Sequence, residues 1–511
     1  MKIVNKILII IAISVFSFSS CSESFFDVRN DGVVTDKDIE DLGDDEASQQ
    51  KVTEALLTGI YSYLYQYNTQ GSSSSVANDF GLMSIYHLGD VMNNDLAFHV
   101  RGSGWFTFDY ELDYWSAQYV RPYFYWNFFY SVISKANAVI AALDLNSDSE
   151  QVKAGLGQAY AFRAMSHFYL VQMYQQTYKG NETQPGIPII RVDSKEDPSV
   201  PTRASLEDVY TQIDNDFIKA LGYLDLETWK PASKVYMDRQ VVAGLYSRVC
   251  LVKNDWDNAI KYAQIARAGK QVLTIEEMKA EGFNDINSKE WIWGSDITAE
   301  TTTMFGSFFS FVCSYDAGYG GDVGQYRKID AKLYSYMRDS DVRKYQFKKE
   351  GFRDNEYTAQ EKAFPDYTNL KFKKVEGWTA DYVYMRTPEM ILTEAEAWAH
   401  KGDGAKAASV LKELMVNRDP SWNEASVSWE QVYIQRRLEL WAEGFSLFDH
   451  LRLKQGIDRA YAGTNHLSSA RYKISSGSWY FLFQLPLREI DNNDDLSQTD
   501  QNPAPTGSKF E

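Results

Sequence analysis

From about residue 51 onward, apolar side chains return at three- and four-residue steps, which restricts the chain to helices that each bury one stripe. In 205–224, Ser205 with Asp208 gives a capping signal, and Leu206, Val209, Tyr210, Ile213, Phe217, Leu221 and Leu224 share a face. In 387–417, Thr387 can cap and Pro388 suits the first helical position. Ile391, Ala395 and Trp398 then follow one stripe until Gly402 interrupts it, and a second helix resumes through Ala407, Val410, Leu411 and Leu414. That pattern is a helical hairpin. With 511 residues and 44% hydrophobic content, such hairpins have enough apolar surface to build a large core.

Trp256, Ala259 and Tyr262 match part of the tetratricopeptide helix pattern of Trp, a small residue and Tyr at three-residue steps. The periods are irregular, so the expectation is degenerate tetratricopeptide-like hairpins, each covering its neighbour's apolar face.

The N-terminus is of another kind. Lys2 and Lys6 precede a short apolar run from Ile7 to Phe18, and Ser19, Ser20 and Cys21 follow. A run this short falls below the roughly 20 residues needed to cross a bilayer and reads as a cleaved signal, residues 1–20. The small residues ahead of Cys21 resemble a bacterial lipoprotein signal, in which that cysteine is acylated. Residues 21–50 then form an acidic tether containing Asp36, Asp38, Glu40, Asp41, Asp44, Asp45 and Glu46, a run better read as solvated than as a calcium loop. Only Cys250 and Cys313 remain beyond it, allowing at most one disulfide. A net charge of −18 argues against nucleic acid and against anionic lipid as principal ligands, because both need a basic footprint.

Two stretches break the helical regularity. More than half of the residues from Trp105 to Tyr130 are Phe, Tyr or Trp. Tyr123 to Tyr130 runs into the helical segment 131–143 and reads as core. Trp105 to Tyr119, mixed with Gly102, Gly104, Asp109, Glu111 and Asp113, reads as a loop. From Thr301 to Tyr326, Phe305, Phe308, Phe309, Phe311, Tyr315, Tyr319 and Tyr326 lie among glycines. Aromatic rings in such loops form apolar platforms with polar tips, on which the C–H face of a sugar can lie.

No catalytic constellation competes. The six histidines are dispersed, and neither the H-E-x-x-H zinc helix nor the G-x-S-x-G elbow occurs. Gly318 to Gly324 misses the dinucleotide-binding spacing. A glycosidase needs only two carboxylates about 5–9.5 Å apart, which spacing along the chain does not exclude. No cofactor and no metal are expected.

Six segments in order resemble the SusD/RagB-like outer-membrane lipoproteins of Bacteroidetes. They are the helix carrying Trp126, Tyr130, Ile133, Ala136 and Asn137; Arg163-Ala164 with the later Pro185-Gly186-Ile187-Pro188; and the turn from Asn254 to Ala259. The others are Arg386 to Ala397; Arg437 to Gly444 with Phe448, Asp449 and Arg452; and the closing Pro486, Glu489, Asn492 and Gln501-Asn502. Arg436 and Ser446 depart from the pattern, where Glu and Arg are usual. The charges of these motifs, Arg163, Arg386, Glu389, Glu394, Arg437, Glu439, Glu443 and Asp449, lie beside core residues and read as scaffold pairs rather than ligand contacts.

The resemblance implies a mainly α fold, in which tetratricopeptide-like hairpins form a right-handed superhelical scaffold beside a loop-rich, aromatic-bearing ligand region. Residues 51–511 would form one domain: scaffold at about 51–270 and 385–455, loop-rich region at about 285–385, and a C-terminal segment at 456–511. It further implies a non-enzymatic lipoprotein on the outer membrane, facing the cell exterior. Such a protein captures glycan and passes it to a SusC-like TonB-dependent transporter. Transferred to this chain, the family's arc of aromatics points to Trp105, Tyr110, Tyr114, Trp115, Tyr315 and Tyr319, with lipid on Cys21. The alternatives are an oligopeptide cargo, a surface glycoside hydrolase or a protein-interaction scaffold.

Overall fold

The computed structural model describes residues 46–69, 77–102, 104–192, 199–315 and 318–509. The signal, Cys21 and most of the tether lie outside these residues; positions 46–50 already belong to the first helix. Among the described residues, no helix is long and apolar enough to cross a membrane.

The longer helices are α1 (Glu46–Tyr63), α2 (Leu82–Val91), α3 (Val120–Ala142), α4 (Glu150–Tyr174), α5 (Leu206–Tyr223), α6 (Arg239–Lys253) and α7 (Trp256–Arg267). After a long excursion come α8 (Thr387–His400), α9 (Gly404–Met415), α10 (Trp429–Glu439), α11 (Ser446–Arg452) and the short α12 (Leu487–Asn492). From α3 to α7 each helix packs on the next; α7 then packs on α8, and α8 on α9, so the hairpin array continues across the excursion. The fold is the mainly helical, tetratricopeptide-like scaffold that the periodicity implies.

Local chemistry sets the boundaries. Ser205 accepts the backbone N–H of Asp208 and caps α5, whose face of Leu206, Val209, Tyr210, Ile213, Phe217 and Leu221 is buried. Asn254 closes α6 at a φ of 59°, the left-handed conformation that asparagine tolerates, and Asp255 immediately caps α7. Thr387 differs from the expectation. It is the first helical residue rather than the cap, Pro388 follows it, and its hydroxyl donates to the Glu290 carbonyl at 3.1 Å. Cys250 and Cys313 are both buried thiols, and no disulfide joins them.

The motif charges pair across helices. Arg163 clasps Asp216 through two bonds of 2.7 and 2.9 Å; Glu389 meets Arg248, Glu394 meets Arg267, and Arg437 meets Asp95. Arg386 donates to Glu443 at 2.7 Å, Glu439 at 2.8 Å and Glu290 at 3.0 Å, while Arg418 reaches Glu290 at 2.6 Å. Burial pushes the Glu439 carboxyl up, but Arg418, Arg386 and Arg343 together hold it below the usual carboxylate range. The departure at Arg436 has a partner too, since it donates to Asp449 at 2.7 Å.

Two small sheets position the loops. Antiparallel β2 (Trp291–Ser295) and β4 (Tyr382–Arg386) close the neck of the excursion. Antiparallel β1 (Leu96–Phe98) and β3 (Arg327–Ile329) pair Leu96 with Ile329 and Phe98 with Arg327, and the His99 amide donates to the Tyr326 carbonyl at 3.0 Å. The chain leaving β1 is the first aromatic loop and the chain entering β3 is the second, so this pairing sets the two side by side.

Candidate functional site

Where the loops meet, aromatic rings form a continuous ridge. Trp105 lies 4.1 Å from Tyr319 between ring centroids, and Phe311 sits under both, at 4.9 Å from Tyr319 and 5.8 Å from Trp105. Phe305 extends the ridge, 5.8 Å from Tyr319 on one side and 6.2 Å from Trp378 on the other. Phe311 is buried and serves as foundation; Phe305 is 51% exposed, and Trp105, Tyr319 and Trp378 are half-buried. Burial pushes the Tyr319 hydroxyl up, with a smaller contribution from the neighbouring Tyr67, so it remains a neutral donor at physiological pH.

The backbone holds these rings in place at a cost. Trp105 and Trp378 have φ values of 52° and 63°, a region in which a bulky L-residue is strained. Gly306 is required by contact: a Cβ there would lie 2.2 Å from the ring of Tyr67. Beside Trp378 a narrow cleft of about 10 Å³, room for about one water, is lined by residues that include Tyr65, Thr301, Thr302, Thr303, Phe309 and Lys374. Thr302 Oγ1 donates to the Trp378 carbonyl at 2.5 Å and ties the cleft to the ridge. The aromatic faces can stack on a polyhydroxylated ligand, while the Thr302 and Thr303 hydroxyls, which donate to the Trp378 and Gly306 carbonyls, keep lone pairs to accept from it. Among the described residues, those that line the cleft include no carboxylate.

Of the residues expected from sequence, the structure brings Trp105 and Tyr319 together. Tyr110 is a correction. It is fully buried, stacked 4.3 Å from Phe98, bonded to His466 Nδ1 at 2.7 Å and covered by Arg459, so it has no face to offer a ligand. Tyr315 turns away from the ridge, donating to Glu361 at 2.8 Å with its ring edge against Phe364. Tyr114 joins a separate cluster with Phe108 and Tyr119 at 4.8 and 4.9 Å. Trp115 packs half-buried on the core, its carbonyl accepting from the Gln484 amide. Cys21 lies outside the described residues.

Sequence reasoning missed Trp378 altogether and left Phe305 unselected within its loop. A signal existed for Trp378: an isolated tryptophan directly after glycine, among Lys373, Lys374 and Glu376, is an unusual core residue. Among the described residues no group of His, Cys, Asp and Glu is arranged to hold a metal ion.

Comparison with known proteins adds to this geometry. A family model described as starch-binding associating with outer membrane (SusD-like) matches residues 25–251, and one described as the SusD family (SusD/RagB) matches residues 319–504. Among solved structures, a SusD-like carbohydrate binding protein from Bacteroides vulgatus is 24% identical, covering 90% of this chain and 99% of that one at a TM-score of 0.71. A surface glycan-binding protein A from Bacteroides uniformis is 17% identical, covering 88% and 99% at a TM-score of 0.66. A laminarin binding SusD-like protein is also 17% identical, covering 89% and 99% at 0.63. At these identities the likeness establishes the fold. No curated protein matches the chain.

Proposed function

Because this chain belongs to the SusD/RagB family, we propose that it is a cell-surface lipoprotein that captures glycan on the Trp105–Tyr319–Phe305–Trp378 ridge. The observation that carries the reading is the ridge itself. Partly exposed rings, two of them held in strained backbone, stand on a rigid helical scaffold beside a hydroxyl-rich cleft. Preorganised rings lose little conformational freedom on binding, which suits capture followed by release. In this reading Cys21 carries the lipid, residues 21–45 form the tether, and the binding domain begins at the first helix, Glu46–Tyr63. A SusC-like TonB-dependent transporter receives the cargo.

Isothermal titration of the protein starting at Ser22 against neutral oligosaccharides and, in parallel, a library of short peptides tests the cargo. Saturable heat with a sugar and none with peptides is expected. Peptide binding alone would replace glycan by oligopeptide, and release of shorter sugars on prolonged incubation would make the protein a hydrolase.

A further inference from the structure

An open cleft of about 430 Å³ shares no lining residue with the cleft beside the ridge. One wall is a face of α3, where Tyr123, Asn127 and Tyr130 recur at i, i+4 and i+7 and stay partly exposed while Phe124, Tyr125, Phe128 and Phe129 turn into the core. The opposite wall is α12 and the residue after it, with Arg488, Asn492 and Asn493. At helical rise, Tyr123 to Tyr130 spans about 10 Å, and clefts of this volume hold small ligands.

The walls are fixed before any ligand arrives. Trp126 Nε1 donates to Glu489 Oε2 at 3.1 Å, and Asn493 Nδ2 donates to Glu489 Oε1 at 2.9 Å, so one carboxylate clamps α3 to the C-terminal segment. Tyr130 donates to the Pro188 carbonyl at 2.8 Å. The Arg488 guanidinium lies 4.5 Å from the ring centre of Tyr123, and among the described residues it has no carboxylate partner. Its fork of donors faces the cleft beside Asn127, whose Oδ1 accepts from the Tyr123 hydroxyl at 3.4 Å and whose Nδ2 group adds two further donors. Planar donors and amides next to aromatic surface suit vicinal hydroxyls on a ring with an apolar face.

Charge narrows the class. The segment 488–495 carries Glu489, Asp491, Asp494 and Asp495 against the single cation Arg488, a field that disfavours an acidic sugar. We propose that this cleft between α3 and α12 is a second site, independent of the ridge, for a neutral oligosaccharide. The proposal rests on the glycan reading of the protein but not on the ridge residues.

The test uses protein starting at Ser22, with maltohexaose, cellohexaose, laminarihexaose, xylohexaose and trigalacturonate as probes in calorimetry. A Trp105→Ala/Trp378→Ala variant isolates the second cleft. It is expected to keep saturable binding of at least one neutral hexaose. Adding Asn127→Ala and Arg488→Ala, both at partly or fully exposed positions, should weaken that binding at least tenfold while leaving the melting temperature unchanged. If wild-type protein binds a hexaose and the ridge variant binds none, the second site is wrong and the ridge reading stands. Residual binding indifferent to Asn127→Ala and Arg488→Ala also overturns it, as does binding of trigalacturonate alone. If wild-type protein binds no probe, the glycan reading itself fails and the second site with it.

Discussion

Trp378 follows Gly377, and both have positive φ, so the ring is held by a tight local turn rather than by packing alone. A strained conformation for a bulky residue costs about 1–3 kcal/mol and persists only where its surroundings impose it. Trp378→Gly relieves that strain. It should weaken glycan binding by about three- to tenfold, from the loss of one stacking partner, while the unfolding free energy moves by no more than about 1 kcal/mol. Parallel titration and urea denaturation check both halves. Tyr110→Ala should behave in the opposite way. Its ring fills core space against Phe98, so the substitution should destabilise by about 3–5 kcal/mol in urea, as large aromatic truncations do. Asp381 gives a pH signature. Burial pushes its carboxyl up to about 6, although it accepts the amides of Ile286 and Ile297 at 2.8 Å. A raised folded pKa means the stabilising contribution is full below the unfolded value and is lost as pH rises through about 6. Between about pH 4 and pH 7 this group should therefore remove about 2 kcal/mol, and the Asp381→Asn variant should lack that slope in denaturation curves measured across the range.

At the level of elements, the scaffold owes its rigidity to buried charges as much as to apolar faces. Glu439 takes Arg386 and Arg418 together and lies 3.6 Å from Arg343. Removing one member strands the others, so Glu439→Gln should cost about 3–5 kcal/mol in urea denaturation, far more than a surface pair. Its folded pKa is depressed, so its stabilising contribution is present above the ordinary carboxylate range and is lost only as pH falls through strongly acid values. These helices were legible in the sequence because one buried stripe per helix imposes a period, and 205–224 and 387–417 fall within a residue or two of their structural bounds. The site was legible only in part. Composition finds the loops, but a period cannot say which ring of a loop turns inward. Tyr110, five residues past Trp105, points at Phe98, whereas Trp105 meets Tyr319. Trp378 reaches the ridge through chain folding across the excursion closed by β2 and β4, which nothing local to it encodes.

On the scale of the whole molecule, the proposed function needs a lipid at Cys21, an acidic tether and a binding domain whose ligand surface lies in loops rather than in the helical array. Those parts are separable. Full-length protein expressed in a Bacteroides host should fractionate with the outer membrane, and Cys21→Ser should release it without loss of glycan affinity. The central claim, that the ridge is where glycan is captured, is tested most directly by affinity-gel electrophoresis of the Ser22-start protein. The gels would contain plant, host and microbial polysaccharides, with Trp105→Ala, Tyr319→Ala and Trp378→Ala run alongside. Strong retardation by one polysaccharide that is sharply reduced in each of the three variants, with unchanged circular dichroism, is the predicted result. Retardation that all three variants keep at wild-type strength would contradict the account and move glycan capture off the ridge.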